Sequence, residues 1–179
     1  IINYRKWFIL KKKEEKTNAM RELEQKKIVF KTHSYVNTSA ISGMEVASVL
    51  NEDPNYVFKT LVTIGKSGNH FVFLVPVNRE LNLKKAAKTV GEKSISMVKQ
   101  AELLPLTGYI HGGCSPVGMK KLFKTVIDES ASSYDKIIFS GGKIGYQIET
   151  TLSELKKAIS FILGDTVSYT HLRAHETCA

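Results

Sequence analysis

A chain of 179 residues, 42% hydrophobic and 24% charged, is ordinary material for one globular domain with a core of its own. No apolar run is long enough to cross a membrane and no signal-peptide pattern occurs; the two cysteines, Cys114 and Cys178, make no disulfide framework, so a reducing, cytoplasmic setting is expected. Of the net charge of +9, residues 1–16 contribute four (six Lys/Arg against two Glu) and residues 167–179 none, which leaves +5 for the body: a basic excess that suits phosphate contacts and a solvated lysine surface equally well.

In chain order, residues 1–11 share no pattern with the rest of the chain and are expected to be a non-native or disordered head. Thr17 is placed to cap a short helix running to about Lys26, with Ala19, Met20 and Leu23 inward. Ile28–Val36 alternates as a strand, with Val29, Lys31, His33 and Tyr35 on one face. Gly43–Leu50 has helical spacing through Met44, Ala47 and Leu50, and Asp53-Pro54-Asn55 turns the chain into a strand at Phe58–Ile64. The turn Lys66-Ser67-Gly68-Asn69 predicts a hairpin into His70–Val77, the most apolar strand. Asn82 should cap the helix LKKAAKTV, which stops at Gly91.

Ile95–Val98 reads as a short strand and Lys99–Leu104 as a helix ending before Pro105. Strands are expected again at Leu122–Ile127, Asp135–Ser140 and Tyr146–Glu149, and Thr151-Leu152-Ser153-Glu154 opens a last helix to about Leu163. The expected architecture is a single α+β domain, 12–165, in which a curved, barrel-like mixed β-sheet of about six to seven strands carries helices on its outside. The remainder, 167–179, comes after an expected natural stop at Gly164 and reads as an appended vector- or adaptor-derived tail. Its His171, His175 and Cys178 have zinc-compatible spacing, but no metal is assigned.

Two glycine-rich stretches stand out, TGYIHGGCSPVGMK at 107–120 and SGGKIG at 140–145. Glycine is unfavourable inside regular elements and Pro116 lacks a donor, so each stretch reads as a sharp loop ending an apolar strand. Such loops are ordinary turns, or places where backbone N–H groups converge on a bound oxygen; two of them together favour a site. No G-x-S-x-G elbow occurs. A thiol nucleophile would need Cys114 with His111 or His33, and no third group to orient the base can be identified. Lys59 interrupts an apolar strand, VFKTLV, where it either snorkels to water or holds an anion or ester.

KTNAMRELEQKKIVFKTHSY, VFKTLV, LNLKKAAK, GYIHGGCSPVGMK and SGGKIGYQIE occur in the order seen in the YbaK family, related to the editing domain inserted in some prolyl-tRNA synthetases, and the chain resembles that family over about Lys12–Asp165. The resemblance implies an aminoacyl-tRNA deacylase that removes cysteine from Cys-tRNA(Pro), in some members from Cys-tRNA(Cys), because cysteine and proline are too alike in size for binding alone to separate them. It also implies that the substrate's own thiol attacks its ester carbonyl, with no enzymatic nucleophile, cofactor or metal. Carried over by motif, Lys59, Gly112 and Gly113 are the catalytic candidates, the two glycines as oxyanion donors. Tyr35, Thr60, Ser115 and Ser140 would line the pocket, with Gly141, Gly142 and Gly145 shaping the second loop. The implied partners are tRNA and prolyl-tRNA synthetase, and no membrane. Two departures are Ile144, giving GGKIG where relatives have GGKRG, which removes one phosphate contact, and Cys114 where relatives have an aliphatic residue. The alternatives are an Ala-tRNA(Pro) deacylase and a non-catalytic tRNA- or synthetase-binding adaptor.

Overall fold

The computed structural model describes residues 15–168; the expected head and most of the expected tail, with His171, His175 and Cys178, lie outside the described residues. The described chain forms helices α1 (Asn18–Gln25), α2 (Gly43–Val49), α3 (Leu83–Val90), α4 (Gln100–Thr107) and α5 (Leu152–Ala158). Ten strands accompany them: β1 (Lys31–Ser34), β2 (Phe58–Gly65), β3 (His70–Pro76), β4 (Glu80–Leu81), β5 (Ile95–Met97), β6 (Lys124–Asp128), β7 (Ile137–Ser140), β8 (Tyr146–Thr150), β9 (Ile162–Gly164) and β10 (Val167–Ser168). No described helix is long and apolar enough to cross a membrane.

The main sheet has the order β5-β2-β3-β6-β9, with β3, β6 and β9 parallel and the other pairs antiparallel. A second sheet, β1-β8-β7, meets it where Val57 bridges Ile138 in parallel. The result is the expected mixed α+β arrangement, curved by the junction of the two sheets.

β3 is apolar without alternation because both of its faces are covered. Val72 and Leu74 face a core shared with Phe58, Val62, Phe139, Ile148, α1 and α5, whereas Phe71, Phe73 and Val75 pack on Ala86 and Ala87 of α3. Each such fully buried side chain contributes roughly 1.5–3 kcal/mol. A third cluster joins Ala47 of α2 to Val57, Val77 and Ile138, close to the junction.

Local signals account for most boundaries. Thr17 accepts from Met20 N–H at the start of α1, Asn82 from Lys85 N–H at the start of α3, and Gly91 ends α3 at φ +74°. Three expectations change. α4 runs through Pro105 to Thr107: the missing N–H would have met Ala101 on the exposed side, and Gly108 at φ +83° caps the extra turn. Met44 is 47% exposed, and α2 buries Val46 and Ala47 instead. α5 stops at Ala158, because Ile159 is extended and Ile162–Gly164 pairs with Val126–Asp128 as β9. Val167 and Ser168, the first two residues of the expected tail, form β10 against Leu81 and Glu80, with Val167 5% exposed.

Candidate functional site

Along most of its length β2 is bonded on one edge only. Val57 O accepts from Val77 N–H, so the antiparallel alternation turns the N–H and C=O of Lys59 and Leu61 towards β3 and those of Thr60 away from it. β5 covers the other edge at Thr63–Gly65, and Val98 N–H just beyond it donates to Val62 O, which leaves the stretch before Val62 uncovered. A cavity of about 410 Å³ opens along the uncovered stretch, between β2, the end of β7, β8 and the first glycine loop. Because it straddles a strand edge, side chains from both faces of β2 reach it, Lys59 from one and Thr60 from the other.

Of the residues singled out by sequence, the structure brings Tyr35, Lys59, Thr60, Gly112 and Ser140 together around this cavity. Lys59 Nζ is 3.4 Å from Glu80 Oε1 on β4, a pair in which the glutamate is largely in water. Tyr35 is 6% exposed, and its phenol has no hydrogen-bond partner among the described residues. The Thr60 hydroxyl is buried without a partner as well. Leaving a buried polar group unpaired costs about 1–3 kcal/mol, and among the described side chains lining the cavity the Thr60 hydroxyl is the one in that state.

The other candidates hold the loops rather than line the space. Ser115 is fully buried and its Oγ accepts from Val117 N–H, so it does not reach the cavity. Gly113 N–H donates to Ile110 O at 3.0 Å and is already used. A Cβ at Gly113 would lie 3.1 Å from Ile144 N and 3.2 Å from Lys143 Cα, so the two glycine loops touch backbone to backbone there. Gly142 at φ +94° packs beside Tyr109 and Ala19, and Gly145 at φ +104° packs beside Val36, while Gly141 N–H donates to Tyr146 O. The Thr17 hydroxyl donates to Gly141 O, which ties α1 to the second loop. Of the two amides expected to receive an oxyanion, only that of Gly112 (φ +84°) is without a partner among the described residues.

Gln147 was missed by sequence reasoning. It is 7% exposed, lines the cavity opposite Ser140 on β7, and its carboxamide has no partner among the described residues. The period-2 pattern of YQIE could have found it, since a glutamine alternating with a core isoleucine points to the face away from the main core.

Two arrangements bear on the chemistry. Cys114 reaches the cavity wall, but burial pushes its thiol up to about 11 despite a hydrogen bond with Thr107, so it is protonated at neutral pH. No described histidine is hydrogen-bonded to a Ser, Thr or Cys side chain; His33 Nε2 instead lies 3.1 Å from Glu149 Oε1. Beside Gln147, His33, Glu52 and Glu149 gather within 4.8 Å, a spacing that could hold a metal, yet the Lys136 ammonium sits among them at 3.4 Å from Glu52 and 3.1 Å from Glu149 and offsets part of their charge.

Comparison with known proteins agrees with this architecture. Residues 38–158 match the family model of the aminoacyl-tRNA editing domain. The chain is 46% identical over 140 residues to the Enterococcus faecalis protein named "Putative Cys-tRNA(Pro)/Cys-tRNA(Cys) deacylase EbsC", covering 78% of this chain and 85% of that one. It is 30% identical over 134 residues to a proline--tRNA ligase of Thermosipho melanesiensis, 74% of this chain but only 23% of the ligase. A solved structure titled "Crystal structure of a putative trans-editing enzyme for prolyl tRNA synthetase" superposes with a TM-score of 0.76 at 25% identity, over 85% of this chain and 96% of that one. The chain therefore belongs to the aminoacyl-tRNA editing domain family.

Proposed function

We propose that the protein removes cysteine from Cys-tRNA(Pro), with Cys-tRNA(Cys) as a second substrate, acting in trans in the cytoplasm. The observation that carries this reading is a cavity holding a cation, Lys59, backbone donors without a partner among the described residues, Gly112 N–H and that of Thr60 on the uncovered strand edge, and unpaired polar side chains, with no Ser-His or Cys-His pair among the described residues. Such a site orients and polarises an ester but offers no nucleophile of its own. The substrate's cysteine sulfur then supplies the attack: a bond forms from sulfur to the ester carbonyl carbon, the bond from that carbon to the ribose oxygen breaks, and the thiol proton ends on the ribose hydroxyl. Confining sulfur and carbonyl within one bound conformer can contribute several kcal/mol. Lys59 anchors the ester and Gly112 N–H stabilises the oxyanion. With a body this small and only moderately basic, recognition of tRNA(Pro) is proposed to come from association with prolyl-tRNA synthetase; equal affinity for tRNA(Pro) with and without the synthetase would count against that part.

The test is deacylation of Cys-, Ala- and Ser-charged tRNA(Pro) by the full chain. Cysteine should be released and serine retained, because a hydroxyl is a far weaker internal nucleophile than a thiol. Release of alanine alone would move the assignment to an alanine-clearing enzyme using water, and binding without any release would leave only an adaptor. Serine leaving as fast as cysteine would refute the substrate-assisted step.

A further inference from the structure

We propose that Gln147 is a substrate-recognition residue whose carboxamide binds the α-amine of the aminoacyl ester in its uncharged form. This rests on the reading of the cavity as an aminoacyl-ester site and adds to it how the amino end is read. Gln147 is 7% exposed as a residue, its two N–H donors and carbonyl oxygen have no partner among the described residues, and those polar atoms open onto the cavity rather than being sealed in the core. In the β1-β8-β7 sheet it stands between His33 and Ser140, so its side chain is fixed by strand register rather than by a loop. Once the ester carbonyl is given to Lys59 and Gly112, and the thiol-bearing side chain to the apolar wall of Val62, Leu103 and Cys114, the amine is the polar group left. Tyr35, Ser42, Thr60, Gln100 and Ser140 also line the cavity, but the Gln147 carboxamide, with two N–H donors and a carbonyl acceptor on one rigid strand, is the group assigned to meet it.

Charge decides which form of the amine is accepted. Facing Gln147 are Lys59 from β2, His111 and Cys114 from the glycine loop, Tyr35 at the end of β1, and His33 on the neighbouring strand. No Asp or Glu lines the cavity. The neighbouring carboxylates outside the cavity lining, Glu149 on the same strand and Glu52, are engaged by Lys136, with His33 and the exposed Lys31 also on Glu149. An ammonium entering here gives up its hydration, meets a lysine and finds no counter-ion. A neutral amine has one lone pair and N–H donors, which the carboxamide N–H and oxygen complement together.

The experiment uses two stable analogues of the charged 3′ end, in which an amide replaces the ester: S-methylcysteinyl-3′-amino-3′-deoxyadenosine and its counterpart lacking the α-amine. Affinities of the full chain are measured by calorimetry from about pH 6 to about pH 8.5, a window that spans the α-amino range of about 7.7–8.0. The amine-bearing analogue should bind about tenfold more tightly at the upper end. The counterpart should stay flat, which controls for pH effects that do not involve the amine. Gln147→Met, similar in volume, should weaken the amine-bearing analogue about tenfold and its counterpart less than threefold. Gln147→Glu should reverse the pH trend by favouring the ammonium. Identical pH profiles for the two analogues in the unaltered protein overturn the inference without any variant. Equal losses for both analogues in Gln147→Met overturn it too. Failure of both analogues to bind at any pH overturns the inference together with the ester-site reading, whereas binding without amine dependence overturns the inference alone.

Discussion

Replacing Lys59 by Met removes one charge from the cavity mouth and keeps most of the side-chain length on β2. The structural consequence should be small. Its visible ion partner, Glu80, is 3.4 Å away with 73% of its side chain in water, and exposed pairs of this kind contribute about 0–1 kcal/mol. For a domain of this size that is at most about 2–4 °C in Tm. The chemical consequence should be large, because a positive group preorganised at a developing oxyanion is worth about 2.7–4 kcal/mol, or about 10²–10³ in rate. Single-turnover deacylation of Cys-tRNA(Pro) with saturating protein, alongside a thermal melt, separates the two. The expected result is a hundredfold or greater fall in rate, to order of magnitude, with a near-normal melt. A rate within about threefold of the unaltered protein would refute the role assigned to Lys59, and a melt lowered by about 10 °C or more would show that the lysine mainly holds the fold.

Cys114→Ala should keep deacylation within about threefold and lower stability by about 1 kcal/mol, the effect of deleting one buried atom from a wall that is 6% exposed. A dead but folded Cys114→Ala protein, or a cysteinyl adduct trapped on Cys114, would refute the mechanism. Gly113→Ala places a methyl 3.1–3.3 Å from main-chain atoms of Lys143 and Ile144, which cannot rotate away. A loss of about 1–3 kcal/mol in denaturant unfolding is expected, with slower deacylation, and an unchanged unfolding midpoint would show that the loops are not in contact. Burial acts to raise the Glu149 carboxyl, but hydrogen bonds from Lys136 and His33 outweigh it and hold the group below its ordinary 4.5. A depressed carboxylate stabilises the fold above pH 4.5, and that stabilisation is lost as pH falls through the lower folded-state value. Melts taken downwards from pH 7 should therefore show the unaltered protein losing more stability below pH 4.5 than Glu149→Gln, and parallel curves would refute this.

How far the sequence could be read depended on whether the deciding contact was local. Caps at Thr17, Asn82 and Thr151, and the Gly68 turn, act over three or four residues and place α1, α3, the start of α5 and the β2–β3 hairpin correctly. β9 and β10 have no such signal: ISFILG is as compatible with a helix end as with a strand, and pairing with β6, far away in sequence, decides it. The site divides in the same way. Lys59 was visible as a charge in an apolar run, and Gly112 as part of a glycine pair. That Gly113 N–H is used by Ile110, that Ser115 turns inward, and that Gln147 faces the cavity depend on main-chain direction and on register across two sheets.

Strand β10 has a reach beyond its two residues. Ser168 pairs with Glu80 and Val167 with Leu81, while Asn82 and Lys85 bind Ser168 Oγ and the Val167 carbonyl. The last described residues thus act as a clasp on the short strand that carries the counter-charge of Lys59. A protein cut after Asp165 would release that clasp, empty the slot filled by Val167, and leave the lysine's neighbour free to wander from it. The electrostatic tuning of the cavity mouth is in this way set partly by a segment more than a hundred positions beyond Lys59 in the chain.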